Sequence, residues 1–209
     1  EGCEDSLRRL GVEMIDLYWL HRDDEQTPPA DYLGALDKLV RAGKVRAVGA
    51  SNFGVARFKA SLGESKRKSF VSFVAQQPEY SLMNREIEKD LMPLCESEGV
   101  AIMPYYPLAS GFLTGKYRTS ADKTKSVRGG SAVKHLDGKG NPVLAALDAV
   151  AARHGATCAQ VALAWVMTKP AIAAPIASAT SVAQITELMG ALDLKLTAED
   201  VAELDKASA

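Results

Sequence analysis

Cysteine is scarce in this chain of 209 residues, with only Cys3, Cys95 and Cys158, widely spaced, which suggests neither a disulfide framework nor a zinc-ligand pattern. No apolar run approaches the roughly 20 residues of a membrane span. An excess of charge is missing too: 25 basic residues meet 26 acidic ones, and the pI is about 6.4. No global field therefore favours nucleic acid or an anionic membrane. The acidic start, Glu1 to Asp5, is the opposite of a basic-then-apolar leader. No G-x-G-x-x-G follows a strand, so a dinucleotide bound here would be bound outside the doubly wound nucleotide fold. These absences point to a reduced, cytoplasmic compartment. With 47% apolar residues the chain can bury the core of one domain, expected over residues 1–209.

What is present is a recurrence. Four short apolar runs each end in a polar residue fit to handle a carbonyl or an amide: His21, Ser51-Asn52, Gln77 and Tyr105. The runs are Val12 to Leu20, Lys44 to Ala50, Phe70 to Gln76 and Val100 to Met103, and Ile172 to Ile176 reads as a fifth strand. Helical patterns separate them. Leu33, Leu36, Leu39 and Val40 recur at helical spacing after Pro28-Pro29, and Gly43 stops that helix. Asn84 is placed to cap a helix running to Gly99, Pro142 opens another, Thr157 with Gln160 and Ser181 with Gln184 have capping-box spacing, and Thr197 starts the last. The charged stretch Glu64 to Lys68 reads as a loop, as does the polar stretch Tyr117 to Asn141. Strands ending at reactive side chains and followed by helices fit the α/β class, a (β/α)8 TIM barrel of which these residues supply about the last five strand–helix units. In such barrels the chemistry collects at the C-terminal ends of the strands.

Nicotinamide carries a carboxamide, so a site that fixes its ring needs a donor and an acceptor side by side, and Asn52 with Gln77 supplies both. Tyr105 offers a flat face for stacking. His21 is placed to hydrogen-bond a carbonyl oxygen as hydride reaches its carbon. Each residue also has a plainer reading: a structural histidine, a helix cap, a loop hydrogen-bonder, a core-rim tyrosine. Their combination on strand ends is what favours chemistry. Farther on, Ser110-Gly111-Phe112-Leu113-Thr114-Gly115-Lys116 has the composition of a pyrophosphate clamp, and the turn Ala177 to Ser181 opens a helix N-terminus that favours a phosphate. Residues 116–141 carry seven basic and two acidic side chains, which suits a flap over an anion or a solvated surface insertion.

These motifs resemble those of the aldo-keto reductases. The carrying segments are Asp16-Leu17-Tyr18-Trp19-Leu20-His21-Arg22, Gly43-Lys44-Val45-Arg46-Ala47-Val48-Gly49-Ala50-Ser51-Asn52-Phe53, Gln77-Pro78-Glu79-Tyr80, and Tyr106-Pro107-Leu108-Ala109-Ser110-Gly111 leading into Leu113-Thr114-Gly115-Lys116-Tyr117. The resemblance implies an NADP-dependent oxidoreductase that reduces aldehydes and ketones to alcohols, with NADPH as cofactor and NADH possible. It implies His21 as the catalytic histidine and Ser51, Asn52, Gln77, Tyr105, Tyr106, Leu108, Ser110, Lys116, Ser178, Gln184 and Glu187 as cofactor-binding residues. The implied partner is a small-molecule carbonyl substrate, without metal, nucleic acid or membrane. The family's proton-donor tyrosine and its assisting lysine and aspartate lie on strands that would precede Glu1. Many relatives carry lysine, arginine and asparagine where Ser181, Gln184 and Leu188 stand here, which affects grip on a 2′-phosphate. The reading accordingly expects the later part of a longer enzyme, with a non-catalytic cofactor-binding subunit or an inactive fragment as the alternative. Tyr18, Trp19, Tyr80 and Tyr106 are candidate walls for the substrate.

Overall fold

The computed structural model describes residues 2–209 and separates them into two compact units. The first runs to Pro78 and resumes over Lys89–Ile102; the second comprises Glu79–Glu88 and Met103–Ala209.

In the first unit helix α1 (Gly2–Leu10) leads into β1 (Ile15–Leu20), α2 (Pro29–Arg41), β2 (Val45–Ser51), α3 (Val55–Lys68), β3 (Phe73–Gln77), α4 (Leu91–Glu98) and the two-residue β4 (Ala101–Ile102). Among the described residues the strands form one parallel sheet in the order β1-β2-β3-β4. The alternation of strand and helix forces this arrangement, because a parallel neighbour can be reached only through a crossover. Phe58 on α3 stacks on Phe73 of β3 at 6.0 Å, and Phe53 and Tyr32 complete the aromatic cluster beneath the sheet. Gly49 is required where it stands: a Cβ there would lie 2.4 Å from the indole of Trp19, its neighbour in register on β1.

Three expectations change in this part of the chain. The charge run Glu64 to Lys68 is the last turn of α3 and not a loop: Glu64 grips Arg67 bidentately three residues on, the cations Lys66, Arg67 and Lys68 favour a helix C-terminus, and left-handed Ser69 closes it. The third strand starts at Phe73 and not Phe70, since Val71 spends its N–H on Asp37 Oδ1 (2.9 Å) and its carbonyl on Ser65 Oγ (3.0 Å). The helix expected from Asn84 to Gly99 is broken. Asn84 Oδ1 accepts from Glu86 N–H at the start of a short 3₁₀ turn, Glu86–Glu88, and α4 starts afresh at Leu91.

The second unit is helical: α5 (Gly129–Ala132), α6 (Gly140–His154), α7 (Cys158–Met167), α8 (Val182–Met189) and α9 (Ala198–Ala207). The stretch expected as a loop over Tyr117 to Asn141 carries α5 and two 3₁₀ turns, Ser120–Lys125 and Val133–Leu136. The first of these turns is started by a capping box between Thr119 and Asp122. The capping box of Thr157 with Gln160 forms as read, whereas Gln184 turns its carbonyl to Thr180 and only Ser181 caps α8. The fifth strand, Ile172 to Ile176, does not form. Pro170 and Pro175 lack N–H groups, Ala171 is left-handed, and only isolated bridges form at Ile172 and Ile176, the latter donating to Pro104 O (2.8 Å) and bridging Tyr105.

Trp165 anchors this unit. Its ring is fully buried, stacks on Tyr80 at 5.4 Å and donates its N–H to Asp205 (3.0 Å), which also takes Lys169 Nζ at 2.7 Å. Tyr80 is therefore core and not a substrate wall. Its hydroxyl donates to Glu88 at 2.5 Å, and burial together with that carboxylate pushes its pKa far above the usual range. At the other end of α9, Asp200 completes the capping box with Thr197 and joins His154 (2.7 Å) and Arg153 (2.7 Å) of α6.

Candidate active site

Because β1, β2 and β3 run parallel in adjacent register, with Leu20 opposite Ala50 and Ser51 opposite Gln77, the residues that end them fall side by side. His21, Ser51, Asn52 and Gln77 are thus brought together at one edge of the sheet. Hydrogen bonds string them in order. Asn52 Nδ2 donates to the His21 carbonyl (3.0 Å) and to Ser51 Oγ (2.9 Å), and Ser51 Oγ donates to the Gln77 carbonyl (2.8 Å). Asn52 is held left-handed at φ 58°, a conformation asparagine tolerates better than most residues, and buried Phe53 anchors the chain just after it.

The His21 imidazole is exposed and makes no hydrogen bond among the described residues, so the backbone alone aims it. Beside this string the fully buried Gln76 accepts from Gln77 N–H through Oε1 (2.9 Å), while its Nε2 has no partner. A buried donor left unpaired costs about 1–3 kcal/mol, which makes Gln76 an unusual choice for a strand interior. Nothing in the sequence distinguished it from Gln77.

In the second unit Tyr105 bridges Glu79 and Ile176, and its ring meets that of Tyr106 edge-on at 5.2 Å. Tyr105 does not line the groove that follows. Tyr106, Leu108, Ser110, Lys116, Ser178, Gln184 and Glu187, the other cofactor contacts expected in this part of the chain, all line one groove of about 640 Å³. The backbone beside it is in an unusual state: Tyr106 and then Ala109, Ser110 and Gly111 have positive φ, which costs energy for the non-glycine residues and turns the chain sharply.

The basic stretch supplies a wall that the motif reading did not assign residue by residue. Lys125, Ser126, Val127 and Arg128 line the groove, and Val127 is wholly exposed. Not every cation of the stretch is available there. Arg118 is clamped bidentately on Asp148 (2.7 Å twice), Lys139 donates to Ser208 O (2.6 Å), and Lys125 is shared by Asp122 and the Lys116 carbonyl. Among the described residues the charged ends of Lys116 and Arg128 form no ion pair. Glu187 brings the opposing charge, and Gln184 commits its carbonyl to Thr180 N–H (2.8 Å) and hydroxyl (3.0 Å). The local signal for this wall was the excess of basic residues over 116–141.

The model of the aldo/keto reductase family matches residues 1–209. A probable aldo-keto reductase of Glycine max is 36% identical over 209 residues, covering 98% of this chain and 58% of that relative. Aldo-keto reductase AMT2 of Alternaria alternata is 30% identical over 98% of this chain and 55% of its own length. In structure, the chain is similar to a thermostable aldo-keto reductase, Tm1743, crystallised with the inhibitor epalrestat: the TM-score is 0.79 at 27% identity, over 98% of this chain and 64% of that one. The chain thus spans a little over half the length of the curated relatives it matches.

Proposed function

This chain belongs to the aldo/keto reductase family, and from that premise we propose that it serves an NAD(P)H-dependent reductase of aldehyde or ketone carbonyls. The fold is the family's α/β TIM barrel with a parallel sheet. The observation that carries the reading is the hydrogen-bonded string at the strand ends, in which Asn52 and Ser51 tie the backbone carbonyls of His21 and Gln77 to one hydroxyl and one amide.

The chemistry of the donor sets fits a nicotinamide dinucleotide. In the first unit Ser51, Asn52 and Gln77 would hold a carboxamide, with Ser51 and Asn52 already fixed in place by their mutual hydrogen bond. In the second unit Tyr105 would offer a ring face, and Ser110, Lys116 and Arg128 would hold phosphates, with Ser178, Gln184 and Glu187 on the same groove. When bound, the cofactor supplies hydride. His21 then acts on the substrate: an imidazole N–H directed at the carbonyl oxygen polarises the bond and stabilises negative charge as it develops there. A cytoplasmic setting is part of the proposal, in keeping with three unpaired cysteines. NADPH is the expected cofactor, since Lys116 and Arg128 together favour an additional phosphate; NADH is the alternative, favoured by Glu187.

Tryptophan fluorescence titrated with NADPH and NADH, followed by mass spectrometry of an aromatic aldehyde incubated with 4-deuterated cofactor, tests the reading. Saturable binding with one deuterium delivered to the carbinol carbon is the expected result. Absence of binding at millimolar cofactor would overturn the proposal.

A further inference from the structure

We propose that Arg57 is the positioning residue for His21, acting through the loop that joins β1 to α2. The inference rests on the reading of His21 given above. Since the imidazole has no hydrogen bond of its own among the described residues, its direction is inherited from the backbone of residues 21–28. One guanidinium grips that loop. Arg57, on α3, donates from Nε to both carboxylate oxygens of Asp23 (3.0 Å each), and from Nη2 to the carbonyls of Asp24 (2.9 Å) and Thr27.

Both members of the ion pair are largely shielded, with 22% of the Arg57 side chain and 9% of the Asp23 side chain exposed, so the pair is less screened than a surface bridge. The loop is also stiffened from within, because Asp24 accepts from Gln26 N–H (3.1 Å) and from the Thr27 hydroxyl (2.7 Å). Arg57 itself is braced. Its guanidinium lies over the Tyr32 ring (5.6 Å), and its carbonyl accepts from Ser61 Oγ, which meets the Tyr32 hydroxyl at 2.5 Å.

The loop is therefore held at two places, by Arg57 at residues 23–27 and by Asn52 at the His21 carbonyl (3.0 Å). Only a planar fork can serve Asp23 and two carbonyls at once; an ammonium cannot reproduce that set. The consequence is specific. Loss of the fork should free the His21 ring without touching the residues assigned to the carboxamide.

The chain has three histidines, so imidazole ¹⁵N–¹H correlation spectra resolve His21 from His135 and His154. In Arg57→Ala the His21 signals should move or broaden while those of the other two stay. Turnover should fall roughly tenfold to a hundredfold with the cofactor Kd within about twofold of the parent, the size expected for a misplaced catalytic group. Arg57→Lys should recover only part of both. If Arg57→Ala fails to fold, Arg57→Lys and Asp23→Asn carry the same test. Unchanged His21 signals in a folded variant would overturn the proposal. A His21→Gln variant with undiminished turnover would instead overturn the role of His21, leaving the spectra to decide whether Arg57 positions it.

Discussion

At the strand ends of the first unit, Asn52 and Ser51 spend hydrogen bonds on each other and on the carbonyls of His21 and Gln77; in the groove of the second, Lys116 and Arg128 form no ion pair among the described residues. The contrast matches what each place is proposed to hold. A neutral amide is recognised by direction, which demands donors and acceptors fixed in advance, as Asn52 fixes Ser51 and Ser51 meets Gln77. A phosphate is recognised by charge, which acts over a longer range and tolerates mobile side chains on an exposed wall.

The largest effect expected from that contrast is on rate. His21→Gln should lower turnover by about a hundredfold or more while leaving cofactor affinity alone, read by single-turnover kinetics beside equilibrium titration. Equal losses in both quantities would break the division between the two regions. Next comes affinity: Lys116→Ala should weaken NADPH binding roughly tenfold, the worth of about one charge-assisted hydrogen bond, and should flatten the salt dependence of Kd with little change in turnover at saturation.

A third difference is sensitivity to acid. Burial by itself would raise the Asp200 carboxyl, but His154, the Thr197 backbone and Arg153 together hold it well below the usual carboxylate range. A carboxylate depressed in the folded state adds stability above its unfolded pKa of about 3.9, and that stability is lost as pH falls toward the folded value. Hydrogen exchange below about pH 4 should accordingly show α9 and the end of α6 loosening, and Asp200→Asn should abolish the pH dependence. The smallest expected effect concerns cofactor choice. Glu187→Gln removes the negative charge on the groove and should shift the ratio of NADPH to NADH affinity a few-fold toward NADPH, measured as paired dissociation constants.

Much of the first unit could be read from the chain because its strands are short, apolar and bounded by turn residues, a pattern set by local sterics and period. Where the reading slipped, a tertiary partner decided. Val71 left the strand because Asp37, distant in sequence, and Ser65 took its N–H and carbonyl, and Ile172 to Ile176 formed isolated bridges without a strand. Tyr80 passed for a pocket wall because sequence alone does not show that Trp165 lies against its ring.

By itself the sequence determined the family, through motifs spanning nearly its whole length, and the residue types that end each strand, because motif order and strand periodicity are properties of the chain. It also marked the basic stretch at 116–141 as a charged wall. Only the tertiary structure decided which of those cations are consumed internally, that Asn52 gives its amide nitrogen to His21 and Ser51, and that Arg57 holds the His21 loop. Partners such as Asp23 and Arg57 lie 34 residues apart, and only the folded backbone brings their side chains within about 3 Å.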